Sequence, residues 1–168
     1  MANFTVRNAD MADLDAVLFV QSVVFPDYQE RRVVFEERLR LYPKGFFVIE
    51  ADGGIGGYLV SYPYRRPKPP SLDVLIGAIP SDGDGYYIHD LSLLPRMRGR
   101  GAAAAAVDAA LAVAREGGFS VSGLIAVGGA DVFWSHLGYA AVSDPATQSR
   151  FHVYGAGAVY MERSLPHC

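Results

Sequence analysis

The chain has 168 residues, of which 51% are hydrophobic and 20% are charged, and its formal net charge is −3 at pH 7. This length predicts one domain, and the composition is typical of a globular protein with a sizeable core. The small negative charge gives no indication of nucleic-acid binding. Cys168 is the only cysteine, which excludes a disulfide framework and a cysteine metal site.

The first half of the chain predicts one strand, two helices and a hairpin. Asp10 is suited to cap the first helix, and Pro26 interrupts it because proline cannot continue a helix. Asp52-Gly53-Gly54 is a turn sequence between two apolar runs, which is typical of a hairpin. The predicted elements are a strand at 4–7, helices at 11–21 and 30–41, and strands at 46–51 and 55–61.

Residues 62–84 follow this hairpin and contain five prolines. Loops of this length are usually functional or mobile, although residues 72–79 are compatible with a short helix. Arg65, Arg66 and Lys68 give the loop a positive charge. The sequence leaves open whether these cations attract an acidic ligand or form a solvated basic turn.

The second half of the chain alternates strands and helices around a long alanine-rich segment. Alanine has the highest helix propensity, and Gly117-Gly118 marks the end of this helix. The segment is too short and too interrupted to span a membrane. The predicted elements are strands at 86–93 and 121–127, helices at 100–116 and 130–137, and terminal strands at 151–154 and 159–163.

The loop between the predicted strand 86–93 and the alanine-rich helix predicts an anion site. Glycine permits tight curvature and a close approach to a ligand, and the first turn of a helix has free N–H groups and a positive dipole end. Together these features suit a phosphate or pyrophosphate. A solvated basic turn is the alternative. The loop reads Arg98-Gly99-Arg100-Gly101-Ala102-Ala103, without the Gly-Lys-Ser/Thr of a P-loop or the third glycine of a Rossmann fingerprint.

This loop resembles motif A of the GNAT acetyltransferase superfamily, and the segment 124–139 resembles its motif B. The resemblance extends over residues 3–165. It implies a single α/β (α+β mixed) domain with a central, mostly antiparallel twisted sheet that is splayed between two parallel strands and flanked by helices. It also implies that residues 62–84 and 25–30 form the wall of the acceptor site.

The resemblance implies acetyl-CoA as the co-substrate and assigns its binding residues. Backbone N–H groups from Arg98 to Ala103 would hold the pyrophosphate, and the backbone near Leu91 and Leu93 would bind pantetheine. Phe133 and Trp134 would line the thioether channel, or else pack in the core. Two positions depart from motif B. Val127 replaces the usual asparagine, and Trp134 replaces the usual tyrosine. In many relatives that tyrosine is the general acid that protonates the departing CoA thiolate. An indole N–H cannot supply that proton.

His89 is the predicted general base, because an alkyl ammonium must lose a proton before it can attack. Strict alternation along the strand places Tyr87, His89 and Leu91 on one face and Ile88, Asp90 and Ser92 on the other. In the resembling family the base shares the face of the residue that aligns with Leu91. A hydrogen-bonded structural histidine is the alternative interpretation.

Tyr154 and Tyr160 flank a glycine-containing turn at 155–157. Either side chain is predicted to reach the acceptor pocket or to replace the missing acid, and simple strand packing is the alternative. No metal site is predicted, because the four histidines lack the spacing of metal ligands.

The predicted function is direct transfer of an acetyl group from acetyl-CoA to the primary amine of a small molecule or peptide. A non-catalytic acyl-CoA-binding or regulatory module and a nucleotide-binding α/β protein are the alternatives. No nucleic-acid or membrane partner is expected, and a homodimer stays open. Because the amino terminus lacks an apolar signal core, the cytoplasm is the expected location.

Overall fold

One seven-stranded sheet forms the centre of the molecule, whose computed structural model describes residues 3–166. The strands are β1 (Thr5–Asn8), β2 (Phe46–Ala51), β3 (Gly54–Tyr64), β4 (Gly85–Leu93), β5 (Val121–Ala126), β6 (Ala140–Ala141) and β7 (Val159–Ser164). The helices are α1 (Leu14–Val24), α2 (Arg32–Leu41), α3 (Ala102–Glu116), α4 (Asp131–His136) and α5 (Pro145–Ser149). The predicted mixed α/β fold with helices around one sheet is confirmed.

The strand order is β1-β2-β3-β4-β5-β7-β6. Every neighbouring pair is antiparallel except β4 and β5, which are parallel. The parallel register joins Tyr86 with Ser122 and ends where Ile88 meets Leu124. Beyond this point β4 continues to Leu93 and β5 to Ala126, but the two strands no longer pair with each other. They therefore separate, as the resemblance predicted.

The two faces of the sheet carry separate cores. On one face, α3 buries Ala102, Ala106, Ala110 and Ala114, whose spacing of four residues places them on one side of the helix. These small side chains let α3 lie close to the sheet. On the other face, α1 and α2 pack apolar side chains such as Val17 against the tyrosines of β3 and β4. Within residues 3–166, every helix is too short or too polar to cross a lipid bilayer.

An irregular register between β3 and β4 changes which β4 side chains share a face. Val60 pairs with Asp90 but Ser61 pairs with Ile88, so one residue of β4, His89, has no partner. Such a bulge interrupts the alternation of side chains. Leu91 consequently packs in the α3 core, whereas His89 contacts the opposite core. The predicted alternation was wrong at this point: His89 does not share a face with Leu91.

The predicted terminal strand at 151–154 was also wrong. The segment forms a 3-10 turn, His152–Tyr154, and the neighbour of β7 is the two-residue strand β6. At Tyr160 the side chain of Gln148 accepts from the backbone N–H and donates to the backbone carbonyl. A side chain therefore makes the hydrogen bonds that a further strand would have made there.

The segment 72–79 contains no helix, contrary to the predicted short one. Its backbone instead bonds to carboxylates at and before α2. Glu30 accepts from the N–H of Asp73, and Glu37 accepts from the N–H groups of Ile76 and Gly77. These bonds hold the loop 65–84 against α2. They also satisfy backbone N–H groups that a helix would otherwise use.

Candidate active site

A cavity of about 160 Å³ opens beside the point where β4 and β5 separate. Its walls come from the α1–α2 connection, the loop 65–84, β4, β5, α4 and the turn after α5. The lining residues are Phe25, Tyr28, Glu30, Pro70, Leu72, Tyr87, Ile88, His89, Asp90, Leu91, Leu124, Ile125, Val127, Ala130, Trp134 and Tyr154. Most of these side chains are apolar or aromatic, and three ionisable groups lie together among them.

Glu30 and His89 form a buried pair in this cavity. Their side chains are 2% and 3% exposed, and the His89 Nε2 lies 2.8 Å from the Glu30 Oε1. Burial opposes ionisation of Glu30, but the charge and hydrogen bond of His89 and the N–H of Asp73 outweigh it and lower the pKa of Glu30. Because an ionised carboxylate only accepts hydrogen bonds, the proton between the two lies on His89 Nε2.

The second ring nitrogen of His89 faces Tyr62. The His89 Nδ1 lies 2.9 Å from the Tyr62 hydroxyl, which is itself buried. When the imidazole is neutral, this hydroxyl donates to Nδ1; when the imidazole is protonated, the hydroxyl oxygen accepts instead. Each ring nitrogen of His89 therefore has a hydrogen-bond partner.

Asp90 is the third ionisable group, and the bulge turns it toward the same face as His89. Its carboxylate accepts hydrogen bonds from the Tyr58 hydroxyl and, at 3.0 Å, from the Ser92 hydroxyl. Burial raises the pKa of Asp90 to about 6, and the hydrogen bond from Tyr58 and the charge of His89 only partly offset this rise. Asp90 therefore keeps its proton to a higher pH than an exposed aspartate does.

The pKa of Asp90 gives the protein a pH-dependent stability that Asp90→Asn should remove. A folded-state pKa of about 6, above the usual aspartate value of 3.8, means that the folded state binds the proton more tightly. Stability from this group is therefore greatest in acid and is lost as the pH rises from about 4 to about 6, by up to roughly 3 kcal/mol. Urea unfolding of both proteins at pH 4 and pH 8 measures this loss. Between these two pH values, the free energy of unfolding of wild type should fall relative to that of Asp90→Asn by up to roughly 3 kcal/mol.

Asp108→Asn is the matched control, since Asp108 lies on the exposed side of α3. It should follow the wild-type pH dependence. A difference between wild type and Asp90→Asn that does not change with pH would contradict the assignment.

The loop before α3 has the geometry of an anion cradle. Gly99 and Gly101 adopt φ angles of 72° and 80°, a region that favours glycine, and a Cβ built on either glycine would meet open space. Gly101 is the N-cap of α3, and no side chain among residues 3–166 caps that turn. The N–H groups of Ala102 and Ala103 belong to the first turn and lack intrahelical partners. The site can therefore receive a diphosphate.

The two arginines of this loop differ in their surroundings. Arg98 is exposed, whereas the Arg100 Nη1 lies 3.3 Å from Asp52 on the β2–β3 turn. Asp52 also lies 3.7 Å from Arg96. Asp52 therefore partly offsets the positive charge of Arg96 and Arg100 beside the loop.

Comparison with known proteins identifies the family. The model of the acetyltransferase (GNAT) family matches residues 9–142. The chain belongs to this family. A comparison with curated protein sequences found no match.

Solved structures of GNAT proteins share the fold over almost the whole chain. Ard1 from Thermoplasma volcanium has a TM-score of 0.73 at 18% identity, with 98% of this chain and 99% of that chain covered. The loading GNATL domain of CurA from Lyngbya majuscula has a TM-score of 0.78 at 12% identity, with 96% and 97% covered. Arabidopsis thaliana Naa50, bound to the bisubstrate analogue CoA-Ac-MVNAL, has a TM-score of 0.71 at 12% identity, with 97% and 99% covered.

The motif B residues of this GNAT protein divide between the cavity and the surface. Trp134 is buried, lines the cavity and packs edge-on against Tyr139 with ring centroids 5.4 Å apart. Phe133 is 39% exposed and does not line the cavity. On β4, Leu91 lines the cavity, but Leu93 packs in the α3 core.

The two predicted tyrosines also lie in different places. Tyr154 lines the cavity, and its hydroxyl accepts a 3.3 Å hydrogen bond from the N–H of Leu72, which leaves its own proton available. Tyr160 is fully buried and away from the cavity, with its hydroxyl bonded to Tyr64 and, at 2.8 Å, to Glu162. The structure therefore brings Tyr154, but not Tyr160, to the candidate active site.

Residues 25–30, where the acceptor wall was predicted, supply Phe25, Tyr28 and Glu30 to the cavity. The pairing of Glu30 with His89 was not predicted. The ion pair of Glu30 with His89 spans 59 positions of sequence and had no local signal. Among residues 3–166, no group of three or more His, Cys, Asp or Glu is placed to hold a metal.

Proposed function

We propose that this GNAT protein transfers an acetyl group from acetyl-CoA to a primary amine by direct attack, within a domain of residues 3–165. The observation that carries the proposal is a single continuous arrangement. A glycine-lined anion cradle at the start of α3 lies on the same strand-loop-helix unit as the separated end of β4, where the cavity contains the Glu30–His89 pair.

In the proposed complex, backbone N–H groups of residues 99–103 hold the pyrophosphate of acetyl-CoA. The pantetheine arm follows the edge of β4 beyond Ile88, which β5 leaves unpaired. Unpaired backbone N–H groups there polarise the acetyl carbonyl, since donors placed at a developing oxyanion stabilise it. Leu91 and Trp134 line this part of the cavity. Outside this cavity, the backbone of Leu93, on the same strand, and the exposed ring of Phe133, beside Trp134, are the further proposed contacts of the cofactor.

The Glu30–His89 pair would take the proton of the incoming ammonium. The negative carboxylate of Glu30 attracts the cation, and His89 accepts the proton at Nδ1, the ring nitrogen without a hydrogen, by relay through the Tyr62 hydroxyl that faces it. The free amine then attacks the acetyl carbonyl, so that a C–N bond forms and the C–S bond breaks. Tyr154 would donate its hydroxyl proton, which is not committed in the structure, to the departing thiolate, and it would regain a proton from the nitrogen of the tetrahedral intermediate as the amide forms.

Release of free CoA thiol in the presence of acetyl-CoA and a panel of primary amines tests this function. We expect amine-dependent thiol release, with the acetylated amine detected by mass spectrometry. Tight binding of acetyl-CoA without turnover on any amine would contradict the proposal.

That outcome would favour a non-catalytic acyl-CoA-binding module instead. One observation favours this second candidate, namely that Trp134 occupies the position of the motif B tyrosine and cannot act as an acid. Tyr154→Phe distinguishes the two candidates. If Tyr154 supplies the proton, its loss should reduce kcat about 10²-fold, whereas acyl-CoA binding should stay near wild type in either case.

A further inference from the structure

We infer that the acceptor is a primary amine with an aromatic or branched apolar body and no carboxylate next to the amino group. The inference rests on the proposed function and specifies its substrate class. It excludes free α-amino acids and acidic acceptors. A small arylalkylamine and the amino terminus of a peptide with an apolar first residue share the required chemistry.

The charge of the cavity supports this class. Its ionisable lining groups are two carboxylates, Glu30 and Asp90, with His89 and tyrosines, and no Lys or Arg is among the described lining residues. An ammonium group finds a counter-charge in Glu30. A carboxylate on the same substrate would be desolvated beside Glu30 and Asp90 with no cation to receive it, and an unpaired buried charge is strongly unfavourable.

Cations around α2 and in the loop are paired outside the cavity. The charge of buried Arg38 helps to lower the pKa of Glu30, but its guanidinium is paired with Glu37 at 2.5 Å and does not line the cavity. Arg31 lies 3.0 Å from the Asp73 carboxylate. Arg65 and Arg66 bond to Asp82 and Glu162 at 2.7 and 2.9 Å. The sequence had left open whether the loop attracts an acidic acceptor, and these pairs favour a structural role for its arginines.

The shape and polarity of the wall support an apolar body. Phe25, Tyr28, Leu72 and Tyr154 surround the ionisable groups with aromatic and aliphatic surface. The loop that supplies Leu72 is fixed to α2 by hydrogen bonds to Glu30 and Glu37. A wall that is already ordered costs little entropy when a substrate binds, so apolar contact contributes fully to affinity.

Matched acceptors test the inference one group at a time, with acetyl-CoA at saturation. Phenethylamine and phenylalanine differ only in the carboxylate, and phenylalanine amide restores neutrality at the same size. We expect phenethylamine and the amide to exceed phenylalanine in kcat/KM by about 100-fold or more. Phenethylamine should exceed ethylamine by at least about 100-fold, because contact with even one methylene group discriminates 10- to 200-fold.

Peptide substrates distinguish the two sources of the amine, a small arylalkylamine and the amino terminus of a peptide. Phe-Ala-Ala-amide should react at least as well as phenethylamine if the protein acetylates peptide termini, and poorly if the substrate is a small amine. Glu-Ala-Ala-amide should be poor in both cases.

Leu72→Lys supplies the missing cation to the wall, and Leu72→Met is its neutral control. The lysine variant should raise the ratio of phenylalanine to phenethylamine turnover by about 10-fold, and the methionine variant should leave that ratio unchanged. If phenylalanine or glutamate were preferred by the wild-type protein, the inference would be overturned while the proposed function stood. If no amine reacted, the proposed function itself would fail.

Discussion

Replacement of His89 with alanine is expected to lower kcat roughly 10²- to 10⁴-fold, because the ammonium substrate then loses its proton acceptor. The KM for acetyl-CoA should stay near wild type, since His89 lies on the α1–α2 side of β4 and away from the loop that would hold the pyrophosphate. Steady-state thiol release at saturating amine measures both quantities.

Two further variants separate a loss of chemistry from a loss of structure. His89 is buried, and its removal leaves the Glu30 carboxylate without one partner. His89→Gln keeps a donor toward Glu30 but cannot carry the proton, so it should be as slow as the alanine variant. His136→Ala removes an exposed histidine from α4 and should retain the wild-type rate.

Unchanged turnover in His89→Gln would remove His89 from the mechanism. Asp90 would then be the remaining candidate base, because it lines the same cavity and burial raises its pKa to about 6.

A carboxylate at position 101 is expected to abolish binding of acetyl-CoA. Gly101→Asp places a negative charge at the helix N-terminus where the pyrophosphate would lie, and it forces a side chain onto a φ of 80°. Ligand that binds only the folded protein stabilises it by about 2.7 kcal/mol at a hundredfold excess over Kd. Thermal-shift titration should therefore show a large shift for wild type and none for the variant.

Matched changes distinguish charge from backbone strain. Gly118 lies at the other end of α3 with a φ of 79°, and a Cβ there also meets open space. Gly118→Asp should lower the melting temperature without ligand to a similar extent and still show the full ligand shift. Gly101→Asn should keep part of the shift, because asparagine tolerates this backbone region and carries no charge. A ligand shift that persists in Gly101→Asp would contradict the anion site.

These two sites lie at opposite ends of one structural unit. β4 carries His89 and Asp90, and the loop that leaves β4 carries Gly99 and Gly101. The rigid strand fixes the distance between the proposed proton acceptor and the proposed diphosphate site. Acetyl-CoA would span both sites. Its acetyl group would therefore be held at a fixed position relative to the proposed proton acceptor.

The sequence by itself determined the features that depend on local chemistry. Gly99 and Gly101 predicted a tightly curved turn, which their φ angles of 72° and 80° confirm. The alanines after them predicted a helix that packs closely on a sheet, and α3 does so. Asp10 predicted a helix cap, and its side chain does accept the N–H of Ala12. Backbone propensities and capping act over a few residues, so they can be read from neighbouring letters.

Only the tertiary structure decided which side chains meet in the cavity. The bulge at His89 arises from the pairing of β3 with β4 and reverses the face that strict alternation gives to Leu91. Glu30 reaches His89 across 59 positions, and Tyr160 is drawn away by Tyr64 and Glu162. These outcomes depend on strand register and on hydrogen bonds between distant segments, which compete for partners only once the chain is folded.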